Sequence, residues 1–216
     1  MEVTLRALTQ PMLIEGKLLN AEEFIVYIAR ASNPSNQMNM KTASDLIAYL
    51  VKHKHWSPFE HSSMTVEIKT SRAIGTQILR HRSFSFQEFS QRYANVNDME
   101  PVQLRYQAEH NRQSSTAHLP WEHDAHQGVR DHLESCQNLY GQLLADGVAK
   151  ECARMVLPLT TQTTLYMTGS IRSWLHYLAI RCDDHVQLEH REIAEAIRDI
   201  FNSQFPNIAT AIKENN

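Results

Sequence analysis

Glycine is scarce and scattered in this chain: six in 216 residues, at positions 16, 75, 128, 141, 147 and 169. No two are spaced to form G-x-G-x-x-G or a Walker loop, so phosphates cannot be cradled on a glycine-rich turn. Any nucleotide bound here must be gripped by side chains. The rest of the composition is that of a soluble globular protein, 42% hydrophobic and 21% charged, long enough to bury a core without staples. A formal net charge of −3 argues against a polybasic nucleic-acid or membrane binder and leaves only local positive patches. No apolar run approaches the roughly 20 residues of a membrane span, and Met1-Glu2-Val3-Thr4-Leu5-Arg6 lacks a signal-peptide core, so the expected location is the cytoplasm. Cys136, Cys152 and Cys182 form no C-x-x-C and read as reduced thiols.

Patterning divides the chain into helices around a short extended region. Asn20-Ala21-Glu22-Glu23 reads as a capped helix start, with Phe24, Ile25, Ile28 and Ala29 carrying it to about Ala31. After the turn Asn33-Pro34-Ser35-Asn36, Thr42-Ala43-Ser44-Asp45 opens a second helix through Val51. Met64, Val66 and Ile68 alternate with polar residues as a half-buried strand requires, and a helical stretch with Ala73, Ile74, Ile78 and Leu79 follows. Residues 95 to 125 are polar and read as an irregular insertion or mobile lid. From about Gly128 the chain reads as helical. Val129, Leu133, Cys136, Leu139, Tyr140, Leu143 and Leu144 form one stripe ending at Gly147; shorter helices follow near 149–156 and 171–181, and a last one from about His185 to Asn202. With no repeat or linker, the expectation is a single α+β domain, mostly helical, spanning residues 1–216.

The densest chemistry lies in Arg80-His81-Arg82-Ser83-Phe84-Ser85-Phe86-Gln87-Glu88-Phe89-Ser90-Gln91-Arg92-Tyr93. Between His61 and Tyr93 there are five basic and two acidic side chains, a local excess of positive charge inside an acidic chain. If residues 82 to 92 are extended, Arg82, Phe84, Phe86, Glu88, Ser90 and Arg92 share a face. Guanidiniums there can grip phosphate oxygens while Glu88 and Ser90 bond a polar ring or sugar. A charged edge strand would carry a similar mixture. So would a single-stranded RNA-binding strand, since Phe84, Phe86 and Phe89 follow an RNP1-like rhythm, although no partner RNP2 strand is evident.

Arg80-His81-Arg82, seven residues and Ser90 match the R-H-R-x7-S signature of the flavin-dependent thymidylate synthases, the ThyX family, which the chain resembles. His55-Trp56-Ser57-Pro58-Phe59-Glu60-His61 is similar to the family's H-x-[ST]-P-F-E-H segment. Ala153-Arg154-Met155-Val156-Leu157-Pro158 and Arg172-Ser173-Trp174-Leu175-His176-Tyr177 through Arg181 are similar to two further blocks, in the same order. Gln87 keeps an amide where many members carry Asn, and Ser170 and His176 stand where some carry Asn.

The resemblance implies a ThyX-like fold with a small antiparallel sheet. It implies a homotetramer with shared active sites, and reductive methylation of dUMP to dTMP with 5,10-methylenetetrahydrofolate as carbon donor and NADPH as reductant through tightly bound FAD. It assigns dUMP contacts to Gln77, Ile78, Leu79, Arg80, Glu88, Phe89, Ser90, Gln91, Arg92, Arg154 and Arg181. It assigns FAD contacts to Ser32, Ser57, Glu60, Arg80, His81, Arg82, Glu88, Ser170, Arg172 and His176. Arg181 is the expected catalytic residue, a fixed cation stabilising enolate-like charge on the uracil; a helix-end cation favoured by the macrodipole is its plainer reading. Ser90 has no base beside it in sequence and is expected to orient substrate, and Glu88 to accept a hydrogen bond.

Helix geometry adds a separate expectation. Arg172 and His176 share a face, whereas Arg181, nine residues beyond Arg172, lies about 180° round. The first two are expected to face one subunit's flavin and Arg181 a dUMP site across an interface. His123 and His126, and His185 and Glu189, have spacings a metal could use, but no companion cluster, so no metal is expected. The alternatives kept are a flavin-dependent pyrimidine nucleotide hydroxymethylase and the RNA-binding module.

Overall fold

The computed structural model describes residues 1–96, 98–111 and 113–215, so Asn97 and Arg112 of the polar 95–125 region lie outside the described residues. Four strands build one antiparallel sheet in the order β1-β2-β6-β3: β1 (Glu2–Leu8), β2 (Ser63–Ser71), β6 (Gln162–Ser170) and β3 (Ser85–Glu88). Two short strands, β4 (Arg105–Gln107) and β5 (Ser115–His118), pair separately. The helices are α1 (Ala21–Ala29), α2 (Ala43–Lys52), α3 (Arg72–Ile78), α4 (Asp124–Ala145), α5 (Lys150–Ala153), α6 (Ile171–Arg181), α7 (Leu188–Gln204) and α8 (Pro206–Asn215). The expected class, a mostly helical α+β domain with a small antiparallel sheet, is the one observed.

The central pair positions the site. β2 and β6 run side by side in unbroken register from Ser63 opposite Ser170 to Ser71 opposite Gln162. Each passes directly into a helix, β2 into α3 and β6 into α6, launched from opposite ends of the pair. Nine extended residues span about 30 Å, while seven- and eleven-residue helices rise about 10 Å and about 16 Å. Folded back over the same face, the two helices therefore bring their C-terminal ends together near the middle of the strands. Trp174 of α6 donates to the Met64 carbonyl at 3.0 Å, and a Cβ on Gly75 of α3 would touch Thr163 and Leu165 of β6. That face is the core: Met64, Val66, Ile68, Leu165, Met167, Trp174 and Tyr177 are all fully buried. The opposite face is polar, with Arg6 on Glu67 at 2.8 Å and Thr65 on Thr168 at 2.9 Å.

The capped helix start is observed in full: Asn20 accepts from the Glu22 and Glu23 amides, and Glu23 accepts from the Asn20 amide. Four expectations are corrected. The chain after Gly128 is not continuously helical, because β6 intrudes; its polar positions are Thr and Tyr rather than charges, so its alternation is muted. β1 was not anticipated. The last helix is two, α7 and α8, divided at Phe205-Pro206, with Pro at the first helical position. Glu22 of α1 caps α8, accepting from the Ile208 amide at 2.9 Å and the Asn207 side chain at 2.8 Å. A tertiary cap of this kind leaves no local signature.

The extended stretch at 82–92 shrinks to β3, residues 85–88. Phe84, Phe86 and Glu88 do turn inward while Ser85 and Gln87 face out, but Arg82 and Arg92 lie in turns on either side and belong to no strand face. β3 is an edge strand, and its aromatic rings serve the core: Phe84 is 8% exposed and packs on Trp174 with ring centroids 4.6 Å apart. Buried rings offer no platform for stacked bases, which removes the basis of the RNA-binding reading. The 95–125 region carries the β4–β5 hairpin, anchored to the body through Arg105 and Glu189 at 2.7 Å. The α4 stripe has the expected spacing, but the chain covers only its ends, burying His126 and Tyr140 and leaving Leu139 45% exposed.

Candidate active site

The C-terminal ends of α3 and α6 meet at His81 and Arg181. Arg181 Nε donates to His81 Nε2 at 2.9 Å, so His81 presents a lone pair there and is neutral. Burial, reinforced by the charges of Arg181 and then His176, lowers the His81 pKa to about 4. Its ring stands edge-on to Tyr177, 4.9 Å away. Arg181 has no carboxylate partner among the described residues, and neither do Arg80, Arg82 or Arg154. Unpaired guanidiniums gathered on one chain are cations in want of an anion.

A second cluster stands where α6 begins. Ser170 caps the helix, and its hydroxyl donates to Glu60 Oε2 at 2.6 Å; Arg172 Nη1 meets Glu60 Oε1 at 2.9 Å. Glu60 comes from the 3-10 turn Ser57–Glu60, so the Ser-Pro-Phe-Glu segment, Ser170 and Arg172 are assembled as a unit. From it a groove of about 1320 Å³ runs between α2, α6, α7 and α8, with Trp56, Glu60, Arg172 and His176 at its wall. Arg172 and His176 line this groove and Arg181 does not, the separation that helix geometry requires. His81 stands between them, bonded to Arg181 and feeling the charge of His176.

The remaining assigned residues divide by location. Glu88 Oε1 accepts from Arg72 Nη1 at 3.1 Å and from the Thr163 hydroxyl at 2.9 Å, while Oε2 has no partner among the described residues. The Ser90 hydroxyl accepts from the Arg92 amide at 3.4 Å, with no base in reach among the described residues. Arg92 pairs with Glu151 at 3.4 Å, and Lys150 Nζ donates to the Tyr93 carbonyl, which brings the 90–93 turn against α5 and hence near Arg154. Ile78 is fully buried in the core, so only its main chain could meet a ligand; Leu79 is half-buried and Phe89 is 37% exposed. Gln91 is 4% exposed and its side-chain Nε2 has no partner. Ser32 and Ser57 are exposed, and no contact joins either to the two clusters.

Sequence reasoning missed the layer beneath. His190 of α7 is fully buried; its Nδ1 lies 3.3 Å from Gln77 Oε1 and its Nε2 3.2 Å from the Tyr177 hydroxyl. Burial, then the charges of Arg181 and His81, lower its pKa to about 3, and burial raises that of Tyr177. The signal was present: His190 sits on the same helical stripe as Ile193, Ala194, Ile197 and Phe201, a polar residue on an apolar face. The histidines considered as metal ligands have other partners. His123 caps α4, accepting from the Ala125 amide, His126 stacks on Trp121 and His185 pairs with Asp183 at 2.7 Å. Among the described residues no group of three or more ligating side chains occurs.

Comparison with known proteins agrees with these clusters. The family described as "Thymidylate synthase complementing protein" matches residues 13–207. A probable flavin-dependent thymidylate synthase of Paramecium bursaria Chlorella virus 1 is 48% identical over 215 residues, covering 98% of this chain and 99% of its own. A flavin-dependent thymidylate synthase of Synechocystis is 47% identical over 219 residues, covering 99% of this chain and all of its own. Among solved structures, a UMP/dUMP methylase, PolB from Streptomyces cacaoi bound with 5-Br dUMP, superposes with a TM-score of 0.80 at 27% identity, over 99% of this chain and 94% of that one. With the R-H-R turn, the Glu60–Ser170–Arg172 cluster and these relatives in agreement over nearly the whole length, the chain belongs to the flavin-dependent thymidylate synthase family.

Proposed function

We propose that this protein methylates dUMP to dTMP, with 5,10-methylenetetrahydrofolate as carbon donor and NADPH as the source of reducing equivalents through bound FAD. The observation that carries the reading is the Arg181–His81 junction, an unpaired guanidinium held by a neutral imidazole at the meeting point of the two helices.

FAD fits the residues present. Its pyrophosphate needs cations where this chain has no glycine loop, and Arg80, Arg82 and Arg172 supply them. The groove of about 1320 Å³ beside Trp56, Arg172 and His176 has room for a large planar cofactor. Ser32, Ser57, Glu60, Arg80, His81, Arg82, Glu88, Ser170, Arg172 and His176 would hold it. Bound flavin supplies the redox chemistry that moves reducing equivalents, and the folate-derived carbon, toward the pyrimidine.

The chain's own residues do the rest. Gln77, Arg80, Glu88, Ser90, Arg92, Arg154 and Arg181, with main-chain groups of Ile78, Leu79, Phe89 and Gln91, would hold the nucleotide. Its phosphate suits the unpaired guanidiniums. Glu88 is fixed through Oε1 and offers Oε2 as an acceptor. His81 accepts the Arg181 Nε–H and so orients the guanidinium, leaving its terminal nitrogens to donate to a pyrimidine oxygen as negative charge develops there. Ser90 lacks a base and orients substrate rather than attacking it. A homotetramer accounts for two features of the single chain: the α4 stripe it leaves half covered, and the placement of Arg181 away from the groove that Arg172 and His176 line.

The test is an absorption spectrum of the purified protein with and without dUMP, followed by product analysis. Flavin bands that shift on adding dUMP, and a methyl rather than hydroxymethyl product, are expected. Arg181→Ala should keep its flavin and lose turnover by about 10²- to 10³-fold, the usual cost of one charge-stabilising donor. A protein that neither carries nor takes up FAD would overturn the reading, as would an Arg181→Ala variant with wild-type rates.

A further inference from the structure

Six side chains form one unbroken hydrogen-bonded line from the surface hairpin to the buried face of α6, and the chemistry of its outer end fixes every proton in it. Arg105 of β4 donates from Nη2 to Glu189 Oε1 at 2.7 Å, the two side chains only 9% and 18% exposed. A guanidinium can only donate and a carboxylate only accept. Gln187 must therefore turn its amide nitrogen toward Glu189 Oε2, at 3.0 Å, which leaves its oxygen to accept from Gln77 Nε2 at 2.7 Å. Gln77 Oε1 then faces His190 Nδ1 at 3.3 Å, so that nitrogen carries the hydrogen, and His190 Nε2 accepts from the Tyr177 hydroxyl at 3.2 Å. Complete burial keeps His190 neutral, with one donor and one acceptor, so it transmits the order without scrambling it. On Glu189 itself burial works against ionisation, but its own amide, Arg105 and Gln187 outweigh it and hold the carboxyl below its usual range.

We infer that Arg105 and Glu189 are positioning residues for the pyrimidine nucleotide: their ion pair sets, through Gln187, which end of the Gln77 amide faces which neighbour, and so which donor and acceptor Gln77 presents to the ligand. The inference rests on the proposed placement of Gln77 at the nucleotide. The two ends of a carboxamide are nearly the same size, so packing alone does not choose between them. An anchored chain of donors does, because the wrong orientation leaves like poles facing each other. The hairpin thereby acquires a task beyond covering the site: it carries the one group in the line, Arg105, that cannot reverse.

Glu189→Gln tests this with Arg105 in place. Arg105 claims the new carbonyl oxygen, the new amide nitrogen faces Gln187, and the whole line reverses. His190 is then expected to move its hydrogen from Nδ1 to Nε2, which nitrogen-15 spectra of histidine-labelled protein read directly, with His190→Asn identifying the signal. The KM for dUMP should rise about tenfold, the cost of one mispaired hydrogen bond, with kcat within about twofold and the flavin spectrum unchanged. Arg105→Lys, still a donor-only cation, should retain the Nδ1–H form. A Glu189→Gln protein whose His190 stays Nδ1–H overturns the inference, and so does a tautomer switch with unchanged KM. The spectrum needs no nucleotide, so a wild-type protein indifferent to dUMP would sink the placement of Gln77 while the relay itself is still decided.

Discussion

Gly169 is opposite Met64 in the central strand pair, and the Phe84 ring lies directly on it. Built onto Gly169, a Cβ would stand 2.4 Å from Phe84 Cδ1 and 2.5 Å from Cε1, where ordinary contact begins at 3.4 Å. In Gly169→Ala the ring must retreat by about 1 Å, in a core packed too densely to yield freely. Trp174 at 4.6 Å and Tyr177 at 5.9 Å, between ring centroids, block two directions. Overpacking costs typically about 1–3 kcal/mol, and with two walls fixed the upper half of that range is expected, about 2–3 kcal/mol. For a chain of this length that lowers Tm by about 4–12 °C. The damage should reach the site, since the Phe84 amide donates to the His81 carbonyl at 3.2 Å, so that displacing the ring pulls on the R-H-R turn. Scanning calorimetry and dUMP turnover measure both effects, and Phe84→Leu added to Gly169→Ala should restore much of each. A Gly169→Ala protein with wild-type Tm, or one that the second substitution makes worse, would refute the reasoning.

The two depressed histidines make the protein acid-sensitive. Their folded pKa values, about 4 for His81 and about 3 for His190, lie below the ordinary 6.5, so the unfolded chain binds protons first. Stability is full above pH 6.5 and falls as pH drops, for fully buried His190 by about 1.4 kcal/mol per unit. Urea unfolding at several pH values should show this slope, and His190→Asn should remove its share. Glu22 acts oppositely: burial raises its pKa above 4.5, so its contribution is largest below that pH and declines as pH rises through the folded value. Glu22→Ala, which strips two donors of α8 of their acceptor, should cost about 1–3 kcal/mol. Glu22→Gln should cost less and flatten that part of the pH profile.

Much of the local structure was legible because its causes are local. The Asn20 capping box, the alternation at Met64, Val66 and Ile68, and the helical spacing of Ala73, Ile74 and Ile78 each rest on residues a few positions apart. So did the family, whose R-H-R-x7-S, Ser-Pro-Phe-Glu and Arg-Ser-Trp segments are contiguous words. β6 escaped because threonine muted its alternation, and α8 because its cap, Glu22, lies on another helix. What the sequence by itself determined was the mode of phosphate binding, by arginine in the absence of glycine loops, and the inventory of side chains available for it. Only the tertiary structure decided which of them meet. Two helices folded back from opposite ends of one strand pair put His81 against Arg181, a hundred residues apart, and a hairpin arginine at the head of a line ending on Tyr177. Such pairings depend on strand register and helix length together, and no spacing along the chain records either.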